Sequence, residues 1–103
     1  MNKTHLIHPG IILKEEYFDP LGIKQLDAAK ALGIPQSRLS DILAGRRAIT
    51  ADTAVRLGKF FGLNPENFIN LQTRYDLSLA ASDIGKKIGS YKKVARYPEL
   101  VAA

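Results

Sequence analysis

Apolar residues recur along this chain at three- and four-residue intervals and nowhere in strict alternation, so the pattern predicts helices throughout and no β-strands. Pro9 opens a first stretch through Phe18, with Ile12, Leu13 and Tyr17 inward and Asp19-Pro20-Leu21-Gly22 as its stop. Leu26, Ala29 and Leu32 line one face of a short second helix that ends at Gly33. Pro35 suits the first turn of a third helix, whose inward face is Leu39, Ile42 and Leu43. Thr50 is a natural N-cap for a fourth, with Ala54, Leu57, Gly58 and Phe61 inward and Gly62 closing it. Asn64-Pro65 starts a fifth that runs to about Ala81 with Phe68, Leu71, Tyr75 and Leu79 as its stripe. The expectation is an all-α, five-helix domain over residues 1–81, followed by a short tail over 82–103.

The second and third stretches carry more than periodicity. Ala29 leaves room for another helix to cross closely, Gly33 tolerates the positive φ of a tight helix-ending turn, and Ile34 plugs the angle between the two helices. This is the spacing of a DNA-reading helix-turn-helix. With Leu39, Ile42 and Leu43 turned in, Gln36, Ser37, Ser40, Asp41 and Ala44 point out, with Arg38 on the flank. That face is short, polar and uncluttered, as a helix in the major groove must be. Gln36 can pair with adenine, Ser37 can donate or accept, and Asp41 can accept from cytosine, so these three are the expected base readers, with Arg38 and Ser40 beside the groove. Arg46 and Arg47, in the loop Gly45–Ile49 that follows, lie where a chain would run beside the DNA backbone and are expected to clamp phosphates. The alternative at this level is a solvated polar face on an ordinary helical hairpin.

Charge sharpens the picture. The 103 residues carry a formal net charge of +5. Between residues 22 and 62, Lys24, Lys30, Arg38, Arg46, Arg47, Arg56 and Lys59 face only Asp27, Asp41 and Asp52. Such a local excess suits phosphate contact, and Lys24 joins the arginines as a candidate. The absence of cysteine excludes disulfides and thiolate metal or redox sites. No apolar run is long enough to span a bilayer and the N-terminus has no long apolar core of a leader, so a cytoplasmic, non-membrane protein is expected. His5 and His8 have no companion ligand set, Glu15 and Glu16 are splayed by adjacency on a helix, and phosphate cradles and nucleophile motifs are missing. No enzymatic activity, metal or cofactor is therefore expected.

The fifth stretch has more apolar residues than one inward face uses. Phe68, Ile69, Leu71, Tyr75 and Leu77 are the candidate dimerisation surface, which would present two third helices to successive major grooves. The alternative is that Ile69 and Leu77 pack under the C-terminal segment. In that segment Lys86, Lys87, Lys92, Lys93 and Arg96 are interrupted by Gly85 and Gly89, which disfavour a long helix and predict a mobile basic tail. Backbone contact with DNA, or folding onto a protein partner with Tyr91, Val94 and Tyr97 as anchors, are the functional alternatives.

The five-stretch order with its helix-turn-helix resembles the phage-repressor-like, or XRE, family. His8-Pro9-Gly10 with Ile12-Leu13-Lys14-Glu15-Glu16, then Pro20-Leu21-Gly22, the run Gly45-Arg46-Arg47-Ala48-Ile49-Thr50-Ala51-Asp52-Thr53-Ala54, and Asn70-Leu71-Gln72-Thr73-Arg74-Tyr75-Asp76-Leu77 are similar to HigA-type antitoxins of bacterial addiction modules. Phe68 and Ile69 stand where such proteins often carry Trp. The resemblance implies a dimer that binds a palindromic operator in its own promoter and holds a small mRNA-cleaving toxin inactive. It also implies that Gln25, opening the second helix, contacts a phosphate. It does not carry over toxin-contact positions. A stand-alone repressor without a toxin, and a protein-binding module that keeps the helix-turn-helix only as scaffold, are the alternatives.

Overall fold

The computed structural model describes residues 6–88, with side chains through Ile84. Five helices follow one another: α1 (Pro9–Leu13, continued by a π-helical turn Lys14–Phe18), α2 (Gln25–Leu32), α3 (Gln36–Leu43), α4 (Ala51–Phe61) and α5 (Glu66–Ile88). Each start has a local cause. The His8 imidazole Nδ1 accepts the Gly10 N–H at 2.9 Å ahead of α1, Thr50 Oγ1 accepts from the Thr53 N–H at the start of α4, and Asn64 Oδ1 accepts the Glu66 N–H at 3.0 Å ahead of α5. Pro35 lies just outside α3 in extended conformation, one residue earlier than expected.

The core is built from Leu13, Phe18, Leu32, Leu39, Ile42, Leu43, Ile49, Leu57 and Phe68, with Ala28, Ala29 and Ala54 where helices approach. Three expected faces are corrected. Phe18 is fully buried and Tyr17 half-buried, because α1 ends in a π-turn that closes with the Asp19 N–H on the Lys14 carbonyl at 2.8 Å. Residues five apart, Leu13 and Phe18, then share the inward face. On α2, Leu26 is 48 % exposed and Ala28 takes its place on the face that packs against α3 and α4. On α5, Leu79 is 42 % exposed, since the buried residues of this helix, Phe68 and Gln72, both lie in its first two turns. The same helix continues past Ala81 and through Gly85 to Ile88, beyond the end expected for it.

Two glycines decide how the first three helices meet. Gly33 (φ 73°) turns the chain from α2 into α3 in a left-handed conformation that costs other residues about 1 kcal/mol or more. Gly10 is buried where α1 crosses α3, and a Cβ there would collide with the Ile42 carbonyl. The approach is backbone to backbone, so no side chain can swing aside.

Candidate nucleic-acid interface

Helix α3 has a dry underside and a wet top. Leu39 and Ile42 are completely buried and Leu43 nearly so. Gln36, Ser37 and Ala44 are exposed, while Arg38, Ser40 and Asp41 are half-buried on the shoulders. The turn that sets the angle is held by the Ile34 N–H on the Ala29 carbonyl at 3.1 Å, with Ile34 itself buried as the plug. Gln36 and Ser37 thus stand on a rigid platform at the open end of α3. Neither α2 nor α3 has a side-chain cap, so their first-turn amides have no side-chain acceptor. Gln25 is the first residue of α2 and Lys24 the exposed residue just before it.

The arginines behave differently from lysines in the same region. Arg38 turns away from the top of α3 and donates to Thr53 Oγ1 at 2.7 Å and Asp52 Oδ1 at 3.2 Å. Arg56 donates to the same Asp52 oxygen at 2.7 Å and to the Leu32 carbonyl at 2.8 Å, capping the C-terminus of α2. The hydrogen bond from Arg56, then the one from Arg38, hold the Asp52 carboxyl below the usual carboxylate range. This exposed network joins α2, α3 and α4. Arg46 and Arg47 both reach Asp41, at 3.1 and 3.8 Å. Lys24, Lys30 and Lys59 form no ion pair among the described residues.

The loop that carries Arg46 and Arg47 is anchored by a residue that its sequence pattern did not single out. Gln72 of α5 is 6 % exposed, and its Oε1 accepts the buried Ile49 N–H at 2.8 Å while its Nε2 donates to Asp76 at 3.0 Å. A Gln within an apolar stripe is the one signal of it that the sequence carries. His8 is the N-cap of α1, and its ring also meets Tyr75 edge-on at 5.2 Å. Burial lowers its pKa, with the nearby Asp76 charge pulling the other way.

Of the residues expected to form a dimer surface, Phe68 must be removed: it is 0 % exposed and belongs to the core of the protomer. Ile69, Leu71 and Tyr75 are half-buried, and Leu77 is 64 % exposed on the far side of α5. The side chains of Lys86 and Lys87, together with His5, Tyr91, Lys92, Lys93, Val94, Arg96 and Tyr97, lie outside the described residues. Among the described residues, no group of His, Asp and Glu could hold a metal ion and no helix is long and apolar enough to cross a membrane.

A helix-turn-helix family model matches residues 15–68, from α1 into α5. A solved addiction-module antidote protein of the HigA family from Coxiella burnetii is 47 % identical, with a TM-score of 0.77, over 86 % of this chain and 97 % of that one. The chain belongs to the HigA antitoxin family. The Pseudomonas aeruginosa antitoxin HigA, solved with the higBA promoter, superposes with a TM-score of 0.82 at 34 % identity, covering 88 % of this chain and 99 % of its own. Virulence-associated protein I of Dichelobacter nodosus is 46 % identical over 82 residues, 80 % of this chain and 76 % of its own length. The family match contains the whole α2–turn–α3 unit, the arginine loop and α4. In HigA terms this chain is therefore a helix-turn-helix regulator of the antitoxin type, with its candidate DNA-facing residues inside the shared part.

Proposed function

We propose that this chain is the antitoxin of a type II toxin–antitoxin module, acting in the cytoplasm in two ways. It binds a palindromic operator in its own promoter as a dimer, and it binds and silences a small mRNA-cleaving toxin. The observation that carries the reading is the exposed polar top of α3 over a buried apolar underside, in a family with a member solved with the higBA promoter. A helix kept only as scaffold has no need of a top free of large apolar groups.

In this arrangement Gln36 and Ser37 enter the major groove and read base edges, with Ser40 and the Arg38 stem along its wall. Lys24, Gln25 and the uncapped start of α2 approach one phosphate run, and Arg46 and Arg47 the other. The exposed part of α5, with Leu77 and the half-buried Ile69, Leu71 and Tyr75, supplies the contact between two copies. Nothing in this scheme calls for catalysis.

Footprinting of the chain's own promoter tests the DNA half. Protection of an inverted repeat with half-site centres about 10 base pairs apart, or a multiple of that, is expected. Co-expression with the product of the reading frame directly upstream tests the other half. Growth rescue and a stable complex are expected, and a folded antitoxin that neither protects DNA nor binds that product would overturn the proposal.

A further inference from the structure

Asp41 projects from the same outward face as the base readers, yet its carboxylate is already in use. Oδ1 accepts from Arg46 Nε at 3.1 Å and lies 3.1 Å from Arg46 Nη2, while Oδ2 lies 3.8 Å from Arg47 Nη2. The backbone enforces this proximity. The Arg46 N–H donates to the Asp41 carbonyl at 2.8 Å and the Gly45 N–H to the Ile42 carbonyl at 3.1 Å, which winds the loop directly onto the end of α3. At its other end the Ile49 N–H is fastened to Gln72 at 2.8 Å. The loop is thus pinned on both sides, and the three charges stay together.

We propose that Asp41 is a positioning residue that holds Arg46 and Arg47 as one cluster and thereby sets how firmly the protein grips the phosphate backbone of any duplex, whatever its sequence. The inference rests on the operator-binding reading above and assigns Asp41 a role other than base recognition. With the carboxylate present, the trio carries a net charge of +1, and without it +2. The guanidiniums are well exposed, 64 % for Arg46 and 54 % for Arg47, and the half-buried Asp41 side chain is 35 % exposed, so the pairs are screened and a phosphate competes for the guanidiniums on near-equal terms. When it does, Asp41 must share its partners or sit beside a phosphate uncompensated. That cost is the same on every duplex. A carboxylate reading cytosine would instead be felt at one base pair. Keeping the sequence-independent grip weak leaves discrimination to Gln36 and Ser37.

Fluorescence anisotropy of the full chain with its operator duplex and with a random duplex, over a series of KCl concentrations, tests this. Asp41→Asn is expected to tighten both complexes by the same factor, about two- to fivefold, the range an exposed ion pair commands. The slope of log K against log salt should steepen by about one. Both changes should vanish when Arg46→Ala and Arg47→Ala are already present. A loss of affinity confined to operators with one particular base pair, or a gain that persists undiminished in the double-alanine background, would overturn the proposal. Failure of the wild-type chain to prefer its operator over the random duplex would sink the operator reading itself, while the Asp41 effect on the random duplex is still read independently.

Discussion

Replacing Gln72 by Leu removes the only described acceptor for the Ile49 N–H while leaving a side chain of similar bulk in the same nearly buried place. The Ile49 amide cannot turn to water, because its own residue is 1 % exposed. An orphaned buried donor costs ~1–3 kcal/mol, and the added apolar burial of Leu offsets part of it, so a net loss of ~1–2 kcal/mol is expected. For a domain of this size that lowers the melting temperature by roughly 4–16 °C. The lost bond to Asp76 adds little, since Asp76 is exposed and finds water instead. Thermal unfolding by circular dichroism measures the shift, and amide hydrogen exchange by NMR locates it. Protection should fall first at Ile49, with the loop through Arg46 and Arg47. A melting temperature within ~2 °C of wild type together with an unchanged Ile49 exchange rate would refute the idea that α5 anchors this loop.

Further outcomes follow from the same packing. Gly10→Ala should destabilise by ~3 kcal/mol or more despite the ~1 kcal/mol gain in helix propensity, because the new Cβ meets the Ile42 carbonyl; a neutral change in denaturant titration would show that α1 and α3 can separate without loss. Leu39→Ala should cost ~2–5 kcal/mol, since that side chain is fully buried under the recognition face, and an equilibrium unfolding curve superposable on wild type would contradict this placement. His8 is neutral when it accepts the Gly10 N–H, and its folded pKa is lowered below the unfolded value of 6.5. The stability it contributes is therefore complete above about pH 6.5 and declines as the pH falls through that value toward the folded pKa. His8→Asn, a cap that does not titrate, should remove this component of the pH dependence, and identical profiles for the two proteins between pH 7.5 and 5.5 would count against it. Gln36→Ala should lose ~1–3 kcal/mol of discrimination at a single operator position in competition binding, whereas a uniform loss over all duplexes would place Gln36 on the backbone.

The part of this protein that can be read directly from the chain is the part whose causes are local. Ala29, Gly33, Ile34, Leu39, Ile42 and Leu43 lie within one short segment, and each acts through its own size, backbone freedom or helical phase. The α2–turn–α3 unit and the outward placement of Gln36 and Ser37 are therefore legible in the sequence alone. The caps at Thr50 and Asn64 belong to the same class, since each bonds an amide two or three residues on. Tertiary structure decides what depends on elements meeting. The π-turn that brings Phe18 inward, the exposure of Leu26, and the burial of Phe68 away from any dimer surface all follow from which helix covers which face. It also decides how the arginines are used: Arg38 bonds 14 residues away to Asp52, and the loop of Arg46 and Arg47 is tied by Ile49 to Gln72, 23 residues on. Periodicity reports which side of a helix is apolar, but a charged side chain is long and flexible. Its partner is chosen only when the fold brings a carboxylate within reach.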